Sequence, residues 1–258
     1  MPDFSDLLAR LKALLTTVRL GLEAGGDLAK GGVITWETRR YPVVDLCLDG
    51  IDASALQGEL LAVAAAFEAA VKYPGRQVAG EDLRTGAAAL LPKLERARFA
   101  RAYDAVVLGR GGDLATDGLY VRDFGGGLVT AYVQDEGWKF NYLPRGRIAS
   151  WDASSDTVHS VGRSNLYHKA ALDHRARELG LGDGYDAARA ILMGDVFYDR
   201  ADADGIEVAI PGRDLVMVGP GLNPMAVRQA YELAKYPISP EIFVFKGDHL
   251  RQRTALSG

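Results

Sequence analysis

The polar chemistry that this sequence comes closest to assembling sits in Asn165, His168 and Lys169. An imidazole and an amine at neighbouring positions are side chains used for proton transfer, and an amide beside them can orient a polar substrate. The three lie in the stretch from Ser155 to Leu179. If that stretch is one helix, Val158, Val161, Leu172, Ala176 and Leu179 define its apolar stripe. Asn165 then falls near the middle of the stripe, Lys169 close to it and His168 on its edge. A buried polar group without a partner costs about 1–3 kcal/mol, so these side chains either bond to neighbouring backbone or line a cavity. The competing reading is that Gly162 breaks the helix and turns the second piece to a different face.

Other constellations are weaker. The sequence contains no G-x-x-x-x-G-K-S/T phosphate loop, no H-E-x-x-H and no G-x-S-x-G; Gly162-Arg163-Ser164-Asn165-Leu166 lacks the last glycine. His168 and His174 are six positions apart, about 240° around a helix, and cannot share a metal from one face. Asp199, Asp202, Asp204 and Gly205 resemble a calcium loop only until its ends are checked. With Gly205 sixth, Arg200 is first and Pro211 twelfth, where carboxylates are required. The single cysteine, Cys47, excludes an intrachain disulfide and a multi-thiolate zinc site, and its apolar setting suits a small buried hydrophobe. No metal or cofactor is expected.

Gly219-Pro220-Gly221 lies between a strand and a helix whose cap is Asn223. Free N–H groups there would favour an anion, which makes Gly219, Gly221 and Asn223 candidate anion ligands; an ordinary turn is the alternative. Lys93, Arg96, Arg98 and Arg101 crowd a short stretch. Arg96, Arg98 and Arg101 are the residues a nucleic-acid reading would use, although Glu95 and Asp104 dilute them and a solvated charged face explains them more simply. The formal net charge of −4 does not favour that reading.

The elements that must position these residues follow from periodicity. The chain has 258 residues, 48% of them hydrophobic, enough for a sizeable core without staples. Ser5 to Leu22 is an amphipathic helix, Val43 to Leu48 a strand, and Asp52 to Tyr73 a second helix with a Ser54–Gln57 capping box. Leu83 to Leu91 is expected as a short helix ending before Pro92. Strand-like runs at 119–121, 128–133 and 138–142, separated at hairpin distances, suggest an antiparallel meander with one solvated face. Gly180 would close the long helix. The last third reads strand, strand, helix, strand, strand, with Pro211-Gly212-Arg213-Asp214 as a turn and Pro224 opening the helix. The fold class is therefore α+β, with antiparallel sheet segments and packed helices, an N-terminal helical/αβ subdomain over 1–75, and a larger region over 83–258. That region divides into the meander plus long helix (83–180) and a C-terminal ββαββ unit (184–258). There is no run long enough to span a bilayer and no signal-peptide pattern, so the expected location is the cytoplasm.

Several stretches resemble the YtpQ-like family, a bacterial domain of unknown function numbered 1444. They are Leu91-Pro92-Lys93-Leu94-Glu95-Arg96, Asn165-Leu166, Gly184-Tyr185-Asp186-Ala187, Ala209-Ile210-Pro211-Gly212-Arg213-Asp214 and Tyr236-Pro237-Ile238-Ser239-Pro240-Glu241-Ile242-Phe243. The resemblance covers about 160 residues and implies a cytoplasmic bacterial protein without an established activity, cofactor or catalytic residue. It draws in Asp186, read here as a helix cap, and Arg213 and Asp214, read as turn residues or as a charged rim around a ligand groove. The leading expectation is a non-catalytic binding or protein-interaction module. The alternatives are an enzyme, a hydrolase or transferase acting on a small anionic substrate through Asn165, His168 and Lys169 with Asp186 or Arg213, and a nucleic-acid binder. A protein partner is compatible with this reading, and a membrane is not.

Overall fold

A computed structural model describes the backbone of residues 33–38 and 41–47, positions 62, 65, 66, 69 and 70, and residues 83–109, 111–135, 140–172, 180–193, 205–246 and 249–253. The expected helix over Ser5 to Leu22 and the acidic turn at Asp199 to Asp204 lie outside these residues. The architecture is α+β, with antiparallel sheets and packed helices.

Near the N-terminus, β1 (Val33–Thr38) pairs antiparallel with β2 (Tyr41–Cys47). The expected strand at 43–48 is thus β2, and its partner was not anticipated. Ala62, Ala65, Ala66, Ala69 and Ala70 are helical, at the spacing of one buried stripe.

A short α1 (Leu83–Gly86) and a 3-10 turn (Ala87–Ala89) lead into β3 (Leu90–Arg96), followed by α2 (Ala97–Gly109). This corrects the expected helix over 83–91. The helix stops at Gly86, and Pro92 lies inside a strand. β3 is the edge of its sheet, where a residue without an N–H is tolerated when it faces away from the ladder. Next come β4 (Val121–Gly125), β5 (Leu128–Asp135) and β6 (Phe140–Tyr142). The order is β3-β5-β4, with β6 pairing the far end of β5. The meander is as expected, but its solvated face is not: β5 is buried continuously from Leu128 to Val133, because both of its faces are covered.

After α3 (Arg145–Ala149) comes α4 (Ser155–Leu172), capped by the Ser154 hydroxyl, which accepts from the Thr157 N–H at 3.1 Å. The helix passes through Gly162 without a break, which overturns the broken-helix alternative for these residues. A Cβ at Gly162 would sit 3.3 Å from the Tyr132 ring, so glycine here lets the helix approach the sheet closely.

The C-terminal sheet has the order β10-β9-β7-β8, from β7 (Ile206–Gly212), β8 (Leu215–Val218), β9 (Ile242–Lys246) and β10 (His249–Gln252). It is interrupted in sequence by α5 (Pro224–Leu233). This is the expected ββαββ order, with Pro224 first in the helix and the Asn223 side chain accepting from Met225 N–H. The two larger sheets meet where Gly125, Gly126 and Gly127 turn β4 into β5. All three have positive φ, and a Cβ on Gly126 would strike the Phe243 ring at 2.5 Å. Leu94, Phe124, Leu128, Val208, Ile210, Phe243, Phe245 and Leu250 fill that junction. Each large side chain buried there contributes about 1.5–3 kcal/mol of apolar transfer. The segment 180–186 and the 3-10 turn Ala187–Leu192 lie at the same junction, where Ala187 N–H donates to the Arg213 carbonyl at 2.9 Å.

Candidate functional site

Side chains alternate along a strand, so Leu91, Lys93 and Glu95 share one face of β3. That face is buried, and it puts an amine and a carboxylate in the interior. Lys93 is 1% exposed. Its Nζ donates to the Gly184 carbonyl at 2.5 Å and lies 3.8 Å from the centroids of both Phe140 and Tyr185. Those rings meet edge to face at 5.6 Å. Burial, reinforced by the positive charge of Arg213, pushes the Lys93 ammonium down from about 10.5 to about 7. The carboxylates of Glu95, Asp214 and Asp135 oppose that shift without cancelling it.

Glu95 accepts from the Tyr142 hydroxyl at 2.6 Å and from Arg213 Nη2 at 3.2 Å. Burial, together with the adjacent Glu95 charge, holds the Tyr142 phenol well above its usual range. Arg213 loses by burial, but Glu95, Tyr142, Tyr236 and Asp214 more than compensate and hold its guanidinium charged. Tyr185 donates its hydroxyl to Asp135 at 3.0 Å, and burial and that carboxylate raise its pKa. Lys169 Nζ lies 3.8 Å from the same Asp135 oxygen.

A second ionic group locks the segment that caps Lys93. Arg189, 1% exposed, donates to Asp183 at 2.8 and 2.7 Å and to Asp186 at 2.6 Å. Asp186 in turn accepts from the N–H groups of Leu181 and Gly182, and Asp183 from that of Tyr185. Asp183 is held below the usual carboxylate range. Partial burial pushes it up, and the Arg189 hydrogen bond and charge outweigh that.

The residues expected to form a site are thus distributed unevenly. Lys169, Arg213 and Asp214 belong to the Lys93 cluster; Asn165 and His168 do not. Asn165 Nδ2 donates to the carbonyls of Ala87 and Leu90 at 2.6 and 2.9 Å, stitching α4 to the start of β3, and His168 is exposed. Asp186 does not cap the helical turn that follows it; its backbone is already helical and its carboxylate bonds backwards. Arg213 and Asp214 do form the β7–β8 turn, but Arg213 reaches inward to Glu95 and packs 4.5 Å from the Tyr236 ring. Arg96 is not part of a basic surface with Arg98 and Arg101. It is buried and donates to the Ile238 carbonyl and to the Tyr231 hydroxyl, while Arg101 is exposed on α2. At the Gly219–Asn223 loop the chain's own Glu207 takes the place expected for an anion. One of its carboxylate oxygens accepts from Leu222 N–H at 2.7 Å and the other pairs with Arg253 at 2.9 Å.

Among the described residues no three His, Cys, Asp or Glu side chains gather as a metal site, and no helix is long and apolar enough to cross a membrane. The cluster residues that sequence reasoning passed over are Glu95, Asp135, Phe140, Tyr142, Tyr185 and Arg189, while Lys93 was read only as one of several surface cations. Their signal was faint. Lys93 and Glu95 are two apart on a strand, and Tyr185-Asp186 follows Gly184, whose positive φ suits glycine. No family model matches the chain, and no curated protein or solved structure matches it.

Proposed function

We propose that the protein is a non-catalytic binding or protein-interaction module. The observation that carries this reading is that the ionic cluster is closed. Lys93, Glu95, Asp135, Tyr142, Tyr185 and Arg213 each bond to another group of the same chain, and the amine at their centre is buried. A catalytic base or nucleophile must come within hydrogen-bond reach of a substrate, and here protein atoms occupy that reach. Buried ionic groups satisfied in this way specify how elements dock more than they do chemistry.

The outward apolar residues of α5 add support. Met225 is 81% and Leu233 78% exposed, and the half-exposed Tyr236 follows the helix. Methionine and tyrosine are enriched at protein interfaces. Membership of the YtpQ-like bacterial family and a cytoplasmic location belong to the same proposal. The motifs around Gly184-Tyr185-Asp186 and Pro211-Gly212-Arg213-Asp214 support the first, and a single cysteine suits the second.

Affinity capture of the full chain from native lysate, with mass spectrometry of proteins and small molecules, tests the reading. A stoichiometric protein partner is expected. A small anionic metabolite that co-purifies and is consumed by the purified chain would overturn it in favour of a hydrolase or transferase. Retention of nucleic acid that falls steeply with salt would overturn it in favour of the third reading.

A further inference from the structure

We infer that Lys93 is a proton-operated latch on segment 180–186, such that local opening of the segment hydrates the amine and takes up a proton. The segment makes no helix or strand ladder of its own. Gly182 and Gly184 hold left-handed backbone there, at φ 69° and 81°. Asp186 folds it on itself through the Leu181 and Gly182 amides, and Asp183 and Asp186 to Arg189, Tyr185 to Asp135, and Lys93 to the Gly184 carbonyl tie it to its surroundings.

The last tie differs from the others in its solvation. An ammonium has three donors. Among the described residues Lys93 has one hydrogen-bond acceptor and two ring faces, with water excluded. Glu95 from β3, Asp135 from β5, and Arg213 and Asp214 from the β7–β8 turn act on its charge, and Tyr185 packs on it from the segment. Behind them, Tyr142 from β6 bonds Glu95, Lys169 from α4 lies beside Asp135, and Asp183 is held by Arg189. Three of those carboxylates favour the charged amine, but burial and Arg213 prevail, so it titrates near 7 when the segment is closed. Opening the segment supplies the missing acceptors as water and returns the amine to about 10.5.

The sign follows from proton counts. Between about pH 7 and 10.5 the open form binds the extra proton and the closed form does not. Acidification through this window therefore favours opening, by close to tenfold per pH unit, and the effect levels off below about 7. Burial holds Tyr142 and Tyr185 above their usual range, and Arg189 holds Asp183 below its own, so these three do not change charge in this window.

This inference stands apart from the binding reading, because segment opening can follow pH whether or not a partner is found. The test is hydrogen–deuterium exchange of the full chain between pH 7.5 and 9, corrected for intrinsic exchange. The Leu181, Gly182 and Tyr185 amides are the ones to follow, since each is bonded to a carboxylate when closed. Their opening equilibrium is expected to fall about tenfold per pH unit in the wild type and to be flat in Lys93→Met. A flat wild-type profile, or an unchanged slope in the variant, would overturn the latch. A ¹⁵N-lysine NMR titration of the unmodified chain needs no variant. A Lys93 Nζ midpoint near 7 is expected, and a midpoint near 10 would overturn it as well.

Discussion

The guanidinium of Arg189 and the carboxylate of Asp186, three residues apart and each 1% exposed, meet at 2.6 Å. The same arginine also grips Asp183, so one buried cation fixes both ends of the turn that delivers the Gly184 carbonyl to Lys93. Removing one partner of such a buried group strands the others without compensation. Arg189→Met is expected to cost about 3–5 kcal/mol in urea denaturation. A loss below about 1 kcal/mol would show that water reaches Asp183 and Asp186 readily.

Tyr142 and Arg213 both donate to the same oxygen, Oε1, of Glu95. Tyr142→Phe keeps the ring, which packs 4.9 Å from that of Phe99, and deletes only the hydroxyl donor. Among the described residues the buried carboxylate then keeps one hydrogen bond, from Arg213 at 3.2 Å. A destabilisation of about 1–3 kcal/mol is expected from chemical denaturation. An unchanged midpoint would mean that Arg213 alone satisfies Glu95.

The Gly125–Gly127 turn tests the junction between the sheets. A Cβ at Gly126 meets the Phe243 ring at 2.5 Å, whereas one at Gly127 meets nothing within 4 Å, although both have positive φ. Gly127→Ala carries backbone strain alone, about 1 kcal/mol. Gly126→Ala adds the steric clash and is expected to lose about 1–3 kcal/mol more in thermal or urea unfolding. Equal losses would show that the two sheets do not press together there.

Stability should depend on pH through Lys93 in the same direction as for a carboxylate of depressed pKa, but in a window near and above neutrality. Its folded pKa, about 7, lies below the unfolded value of about 10.5, so the unfolded chain binds more protons in between. Stability attributable to this residue therefore rises as pH increases through that window and is lowest below about 7. Each pH unit is worth about 1.4 kcal/mol. The difference in unfolding free energy between wild type and Lys93→Met, measured at pH 7 and 9, isolates the term. A pH-independent difference would contradict it.

Much of the fold was legible in the chain. The spacing of Val158, Val161 and their neighbours marks α4, Asn223-Pro224 marks the start of α5, and the glycine run at 125–127 marks a hairpin. β3 was not legible, because Leu90 to Arg96 carries Pro92, Lys93, Glu95 and Arg96 where a strand buried on both faces is expected to be apolar. The cluster was hidden for a related reason. Its members come from four elements (β3, β5, β6 and α4) and from the turns at 180–186 and 213–214, with Glu95 and Arg213 separated by 118 positions, so no local spacing brings them together. Periodicity reports which face of one element is buried; it does not report which buried charges meet across elements. Asn165 shows the converse. Its place on the apolar stripe was readable, but the two carbonyls that satisfy it lie on a different part of the chain.

The closure of the cluster is tested most directly by the reactivity of the Lys93 amine. Brief acylation of the native protein at pH 7.5, read residue by residue by peptide mass spectrometry, compares Lys93 with the exposed Lys235. Labelling of Lys93 at least about tenfold slower than Lys235, and rapid only after unfolding, is the predicted result. Lys93 labelling as fast as Lys235 or faster would reveal an accessible near-neutral amine, and would contradict a sealed, non-catalytic cluster.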